Sequence, residues 1–209
     1  MPPKPPALWT PGRRWAGNLL PLLLGLPFAG LAGWEVVQNG PTFAALGLAV
    51  AWTATTWLAT NFLGLLGNRH MKRATELRLK AQGVDLADER WFVGFARPSY
   101  RGALDPHEDI GWLNLRSDEV EFIGTTERFQ LDRAMVTAIR LRPNPHSWVG
   151  LGGWVSIEGK AGDTEIRMLI EPRDHPTLWA NRKLRRRLYT RLKEWAPSVP
   201  APDPEPDPA

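Results

Sequence analysis

The densest run of chemically capable side chains lies near the C-terminal end of this 209-residue chain. Arg182, Lys183, Arg185, Arg186, Arg187, Arg191 and Lys193 face a lone acid, Glu194. Such a face attracts anions: the headgroups of an acidic lipid leaflet, the phosphates of a nucleic acid, or nothing more specific than water, with the Arg stems covering apolar surface. Nucleic-acid readout needs aromatic or polar base readers beside the charges, and a domain tethered to a membrane rarely needs that. His107, Glu108 and Asp109 carry metal-ligating and acid–base groups, but consecutive loop residues seldom converge on one ion and no partner histidine stands at a ligand spacing. His146 and His175 sit beside prolines and read as turn or cap residues. The absence of cysteine excludes disulfides, thiolate metal sites and a thiol nucleophile.

A glycine-rich stretch, Arg142 to Gly153, lacks the Gly-Lys-Ser/Thr ending of a phosphate loop. Its Trp148, Val149 and Leu151 either present apolar tips to a membrane or partner, or pack under the rim of the domain. The candidate contact residues are therefore Arg182, Arg185, Arg186, Arg187, Trp148 and Leu151, and the sequence predicts no catalytic residue, cofactor or metal.

The elements that must position these residues fall into two parts. Ala16–Trp34 and Phe43–Leu66 are uncharged apolar runs. At 1.5 Å rise per residue they extend roughly 28 and 36 Å, against a hydrocarbon thickness of about 30 Å. The connector Gln38-Asn39-Gly40-Pro41-Thr42 permits only an antiparallel hairpin. Pro21 and Pro27 within the first run suit a membrane helix whose neighbours re-satisfy the freed carbonyls. Lys4, Arg13 and Arg14 precede the first run, and Arg69, Lys72 and Arg73 follow the second. The positive-inside rule then puts both termini in the cytoplasm, with Trp9, Trp15 and Trp34 at interfacial positions. The first run, ending Gly30-Leu31-Ala32, also has the form of a signal peptide cleaved after Ala32. Gly25, Ala29 and Gly33, and Gly47, Ala51, Thr55 and Ala59, recur every four residues and suit close helix packing, within the hairpin or between copies of the chain. No ionisable group lies mid-run, so the usual mark of an ion or proton pathway is missing.

Downstream, Asn68–Gly83 reads as a basic bridge whose stretch Met71–Lys80 is made of helix formers, with Gly83 as a stop, and which could continue the second span. From Glu89 to Pro172 the period changes to two. Seven short strands follow, around Trp91–Phe95, Ile110–Arg116, Val120–Phe122, Phe129–Leu131, Val136–Leu141, Trp154–Glu158 and Ile166–Ile170. Then Leu184, Leu188, Leu192 and Trp195 form one apolar helical stripe, with Pro176 as first helical residue after His175 or Asp174 as cap. Pro197–Ala209 alternates proline with Asp203, Glu205 and Asp207 and is expected to be a disordered tail. The predicted organisation is an N-terminal segment (1–15), a transmembrane helical hairpin (16–67), a basic juxtamembrane segment (68–88), a seven-stranded α+β domain (89–196) and the tail (197–209).

Seven antiparallel strands closed by one C-terminal helix resemble the pleckstrin-homology-like superfold of PH and GRAM domains. The run Gly111-Trp112-Leu113-Asn114-Leu115, then Asp118-x-Val120-x-Phe122-x-Gly124, then Phe129-x-Leu131 and Ile139, is similar to bacterial PH-like domains. The resemblance covers Trp91 to Trp195 and implies a barrel or sandwich that binds partners rather than catalysing a reaction. It does not extend to a phosphoinositide motif, because Arg97 and Arg101 in the first inter-strand loop are offset by Asp105, Glu108 and Asp109. An excess of 20 Arg over 6 Lys suggests a GC-rich bacterial genome. The expectation is a non-enzymatic protein of the bacterial inner membrane, with a protein partner for its cytosolic PH-like domain. The alternatives are a sensor of anionic lipid headgroups through the last helix, or an accessory subunit of a membrane enzyme or transporter.

Overall fold

A computed structural model of the chain describes residues 8–65, 67–100 and 106–197. Lys4, Leu66, Arg101, Asp105 and the acidic tail beyond Pro197 lie outside the described residues.

Helix α1 (Pro11–Asn39) starts earlier than its apolar run, because Thr10 caps it and Pro11 occupies the first turn. Helix α2 (Phe43–Leu63) is capped by the Thr42 hydroxyl, which accepts a hydrogen bond from the Ala45 amide at 3.1 Å. The two helices pack antiparallel. Gly25 lies where an added Cβ would sit 2.2 Å from Thr56 Oγ1 and 2.7 Å from Trp52 Cδ1, and Gly17 approaches the Gly64 carbonyl. Two threonines of α2 turn back on its own backbone: Thr53 donates to the Ala49 carbonyl and Thr60 to that of Thr56. Both helices are long and apolar enough to cross a membrane, by length and composition. Outside the shared seam their leucines, valines and aromatics are exposed, Leu23, Leu31, Val37, Phe43, Leu46 and Phe62 among them.

The chain breaks at Gly64–Gly67, where Gly67 takes φ +76°, a left-handed conformation that ends any helical continuation. Helix α3 (Asn68–Ala81) is therefore no extension of α2, as the sequence had suggested. Its buried face, Met71, Thr75 and Leu79 at i, i+4 and i+8, packs on the outer surface of the sheet. Trp9 joins the same cluster with Phe92, Ile110, Trp112 and Ile123. Trp9 was expected at a lipid interface. Instead it is buried against the β domain, because the strands Arg90–Ala96 and Asp109–Leu115 carry large apolar groups on both faces.

Strands β1 (Arg90–Ala96), β2 (Asp109–Leu115), β3 (Glu119–Gly124), β4 (Arg128–Asp132), β5 (Val136–Arg142), β6 (Trp154–Ala161) and β7 (Thr164–Pro172) form one antiparallel sheet in the order β4-β3-β2-β1-β7-β6-β5. The first and last strands meet at its centre, with Gly94 opposite Glu171 and Phe95 opposite Ile170. Alternate side chains, from Val93 and Phe95 through Leu113, Phe122, Ile157 and Ile170, enter one core. Helix α4 (Leu178–Trp195) closes it with Leu188, Leu192 and Trp195. Each such side chain contributes about 1.5–3 kcal/mol by leaving water, so the domain rests mainly on this interior. The Trp195 indole N–H also donates to the Arg116 carbonyl at 2.6 Å. Helix α4 begins later than expected: Thr177, not His175 or Asp174, is its cap, and its hydroxyl accepts from the Ala180 amide. Pro176 consequently precedes the helix.

Candidate functional site

The helix pair and the β domain meet along a junction built from both. Its apolar part is small: Leu65 after α2, Leu151 in the glycine-rich loop and Leu178 at the start of α4 bury one another. Its polar part is larger. Asn61, in the last turn of α2, accepts a hydrogen bond from the Trp179 amide at 2.9 Å, satisfying one of the open donors at the head of α4. Asn68, at the head of α3, exchanges two bonds with Arg173: its amide donates to the Arg173 carbonyl, and its Oδ1 accepts from Arg173 Nε at 3.2 Å.

Arg173 continues inward. Its guanidinium stacks 4.6 Å from the centre of the Trp9 ring, and Nη1 lies 3.3 Å from His107 Nδ1. Because guanidinium only donates, that histidine nitrogen presents its lone pair there, and Nε2 turns to Glu171 Oε2 at 3.0 Å. Glu171 also accepts from the Gly153 amide at 2.9 Å, Asn144 Nδ2 at 3.0 Å and His146 Nδ1 at 3.2 Å. His107, Glu171 and Arg173 are all fully buried. Burial alone would raise the Glu171 carboxyl. The His146 charge and the hydrogen bonds from His107 and His146 outweigh it and hold Glu171 well below the usual carboxylate range. One ion pair flanks this chain of contacts, Lys72 with Asp174, whose other oxygen accepts from the Phe92 amide.

The local sequence explains why these groups fit. Gly94 on β1 leaves the hollow that His107 fills; a Cβ there would stand 2.0 Å from His107 Cδ2. Gly152 does the same for Glu171, at 2.2 Å. Buried polar groups must be partnered, and here strand ends, the loop before β2 and both ends of the helix pair supply the partners.

Around the junction the basic residues of α4 divide. The buried stripe of Leu178, Asn181, Leu188, Leu192 and Trp195 leaves Trp179, Arg182, Lys183 and Arg186 on the opposite face at i, i+3, i+4 and i+7. Arg182 Nη1 donates to the Gly150 carbonyl at 2.9 Å and half-buried Arg185 to that of Gly152 at 2.7 Å, so two arginines hold the glycine-rich loop against the helix. Burial pushes the Arg185 guanidinium down from its usual value, against the pull of Glu171. Arg187 falls on the flank with Arg191, which forks onto Glu89 at 2.5 and 2.7 Å. Lys193 lies 5.7 Å from the Tyr189 ring centre.

The two loop candidates separate as well. Trp148 is 87% exposed, whereas Leu151 is wholly buried between Leu65 and Leu178. Leu151 is thus no exposed contact tip; the clamp by Arg182 and Arg185 turns it inward. His107, Glu108 and Asp109 point three ways, as their adjacency implied. His107 enters the junction, Glu108 pairs with Arg97, and Asp109 accepts from the Thr126 and Glu127 amides at 2.8 Å to build the β3–β4 turn. Among the described residues no group of three acidic or imidazole side chains is placed to hold a metal. His146 does lie in a short turn, Pro145–Val149, but its ring serves Glu171.

Glu171, Arg173, Asn68 and the inward turn of His107 carried no usable signal in the sequence. Glu171-Pro172-Arg173 reads as an ordinary solvated strand end, and only the hollows above Gly94 and Gly152, which exist once β1 lies beside β7, make it an interior. The small-residue ridges also divide. Gly25 and Ala59 are buried in the described fold, while Gly33 and Gly47 face open space. Compared with models of known protein families and with curated proteins, the chain matches none.

Proposed function

We propose that the chain is a non-catalytic membrane-anchored module: α1 and α2 cross the bacterial inner membrane as a hairpin, and a PH-like β domain is held at the cytosolic face as a scaffold for a protein partner. The observation that carries this is the pairing of an exposed apolar helix pair with a densely partnered junction. Leu19–Asn39 and α2 are each 21 residues long, about 31 Å of helix at 1.5 Å per residue, which matches the hydrocarbon thickness. Their exposed leucines, valines and phenylalanines form an apolar surface far beyond what an aqueous monomer keeps uncovered. Seven antiparallel strands with α4 closing the core support the PH-like reading. A non-catalytic role is favoured because the buried titratable groups of the junction are engaged with structural partners.

The junction makes the module a rigid bracket rather than a domain on a string. Strands β6 and β7 run from the junction at Trp154 and Pro172 to a turn at Gly162. That turn lies about 25 Å away at some 3.3 Å per residue, so the far end of the domain is carried into the cytosol. The cysteine-free chain allows a direct test. Single cysteines at Asn39 and at Asp163 are expected to label from the outside and only after permeabilisation, respectively. Labelling of Asp163→Cys from outside would overturn the orientation, and recovery of the full chain in the soluble fraction would overturn the anchor. Partner capture after mild solubilisation tests the scaffold role.

A further inference from the structure

The geometry points to a peripheral contact for anionic lipid headgroups on the rim formed by Trp148, Trp179, Arg182, Lys183 and Arg186, immediately beside the end of α2. The inference rests on the membrane-anchored reading and names the surface that would seat the β domain on the leaflet.

Three observations converge on it. The first is position: Asn61 in the last turn of α2 bonds the Trp179 amide, and Leu65 packs on Leu151 and Leu178. The first turn of α4 and the glycine-rich loop are thereby fastened where the chain would leave the hydrocarbon. The second is chemistry. Trp148 and Trp179 are 87% and 51% exposed; Lys183 Nζ sits 4.8 Å from the Trp179 ring centre, and Arg182 is tied to the turn that carries Trp148 through the Gly150 carbonyl. Tryptophan with Lys or Arg is the combination that settles at headgroup depth, ring in the interface and charge among phosphates. The third is rigidity. The Trp148 turn is closed by reciprocal Asn144–Ser147 bonds and tied to α4 through Arg182 and the Gly150 carbonyl, so an exposed indole is held in place rather than left to fold back. An apolar tip pre-ordered in this way loses little conformational entropy on contact. Arg191 and Arg187 fall outside the rim, because the first is spent on Glu89 and the second shares its flank.

The test places the full chain in nanodiscs whose lipids carry brominated acyl chains, either zwitterionic phosphatidylcholine alone or with phosphatidylglycerol. Quenching of Trp148 is read as the difference between the wild type and Trp148→Phe. It is expected to be strong with phosphatidylglycerol, weak without it, and diminished by salt. Lys183→Glu with Arg186→Glu removes two cations that hold no loop carbonyl, and should weaken seating roughly fivefold for each. Quenching of Trp148 that is absent in both lipids, or equal in both and indifferent to the two reversals, would overturn the proposal. Trp34, Trp52 and Trp57 serve as the control: their quenching in either lipid reports the hairpin in the bilayer. Its absence signals failure of the anchoring reading instead, separately from the rim.

Discussion

The inside of the sheet and its outer face at the junction are both buried, yet they are built on different principles. The inside is filled by apolar side chains at every second position of seven strands, with α4 as a lid, and needs no specific partner for any one atom. The outer face around Gly94 is a chain of directed contacts in which Arg173, His107, Glu171 and Asn68 are each buried and each depend on the next. The first arrangement tolerates exchange among shapes of similar volume; the second fails if one member is removed, since a buried polar group left alone costs its full desolvation. The difference teaches where this protein keeps its bulk stability and where it keeps its geometry.

Ways to break the comparison follow that order. Phe122→Ala, which empties the centre of the inner core where Phe122 stacks on Phe95 at 4.5 Å, is expected to cost about 3–5 kcal/mol in denaturant unfolding. Its effect should spread through the whole domain. Arg173→Leu should cost about 3 kcal/mol by leaving the buried Glu171–His107 contact uncompensated. Its distinguishing sign is local: hydrogen exchange should rise first in residues 68–75 and at Trp9, the helix-pair side, while the β4–β3 edge stays protected. If the exchange rises uniformly, the junction is simply more core.

Smaller effects sharpen the same contrast. Gly94→Ala drives a methyl into the His107 ring, and should cost about 1–3 kcal/mol as overpacking. The equivalent change at Gly33, which faces open space within α1, should be neutral or stabilise by up to about 1 kcal/mol. Unfolding in mixed micelles compares the two. Glu171 supplies a pH signature. Its folded carboxyl sits below its unfolded value, so its contribution is present above the unfolded value near 4.3 and drains away as pH falls toward the lower folded one. Glu171→Gln should therefore flatten the acid limb of the stability profile below about pH 4.3, at a cost near 1–3 kcal/mol at neutral pH. The least effect is expected from Arg140→Ala, an exposed partner of Glu158 that also has Arg142 and Arg167, within about 0.5 kcal/mol.

Particular elements show how much was legible. All seven strands lie where alternation places them, since Leu113 with Leu115, or Val155 with Ile157, must share a face of any strand. The stripe Leu188, Leu192 and Trp195 likewise declares which side of α4 is buried. The basic residues of that helix were legible as a set but not as individuals. Whether Arg185 touches Gly152 or Arg191 meets Glu89 depends on loops far away in sequence. Leu151 and Trp148, three residues apart in one loop, look alike as apolar tips and end in opposite environments. Trp9 misled for a related reason: a tryptophan ahead of an apolar helix suits an interface equally well whether that interface is lipid or another part of the chain.

By itself, then, the sequence determined what period-two and period-3.6 patterns can encode: two long apolar helices, a seven-stranded antiparallel sheet and a helix to close it. Those are local consequences of which side chains must leave water. The tertiary structure alone decided which polar residues become interior, because burial of Glu171, His107 and Arg173 arises from hollows over Gly94 and Gly152 that form only when β1 lies beside β7 and the glycine-rich loop folds back. Directed contacts between residues about a hundred positions apart, such as Asn68 with Arg173, leave no periodic trace, since nothing in either local segment changes to accommodate the other.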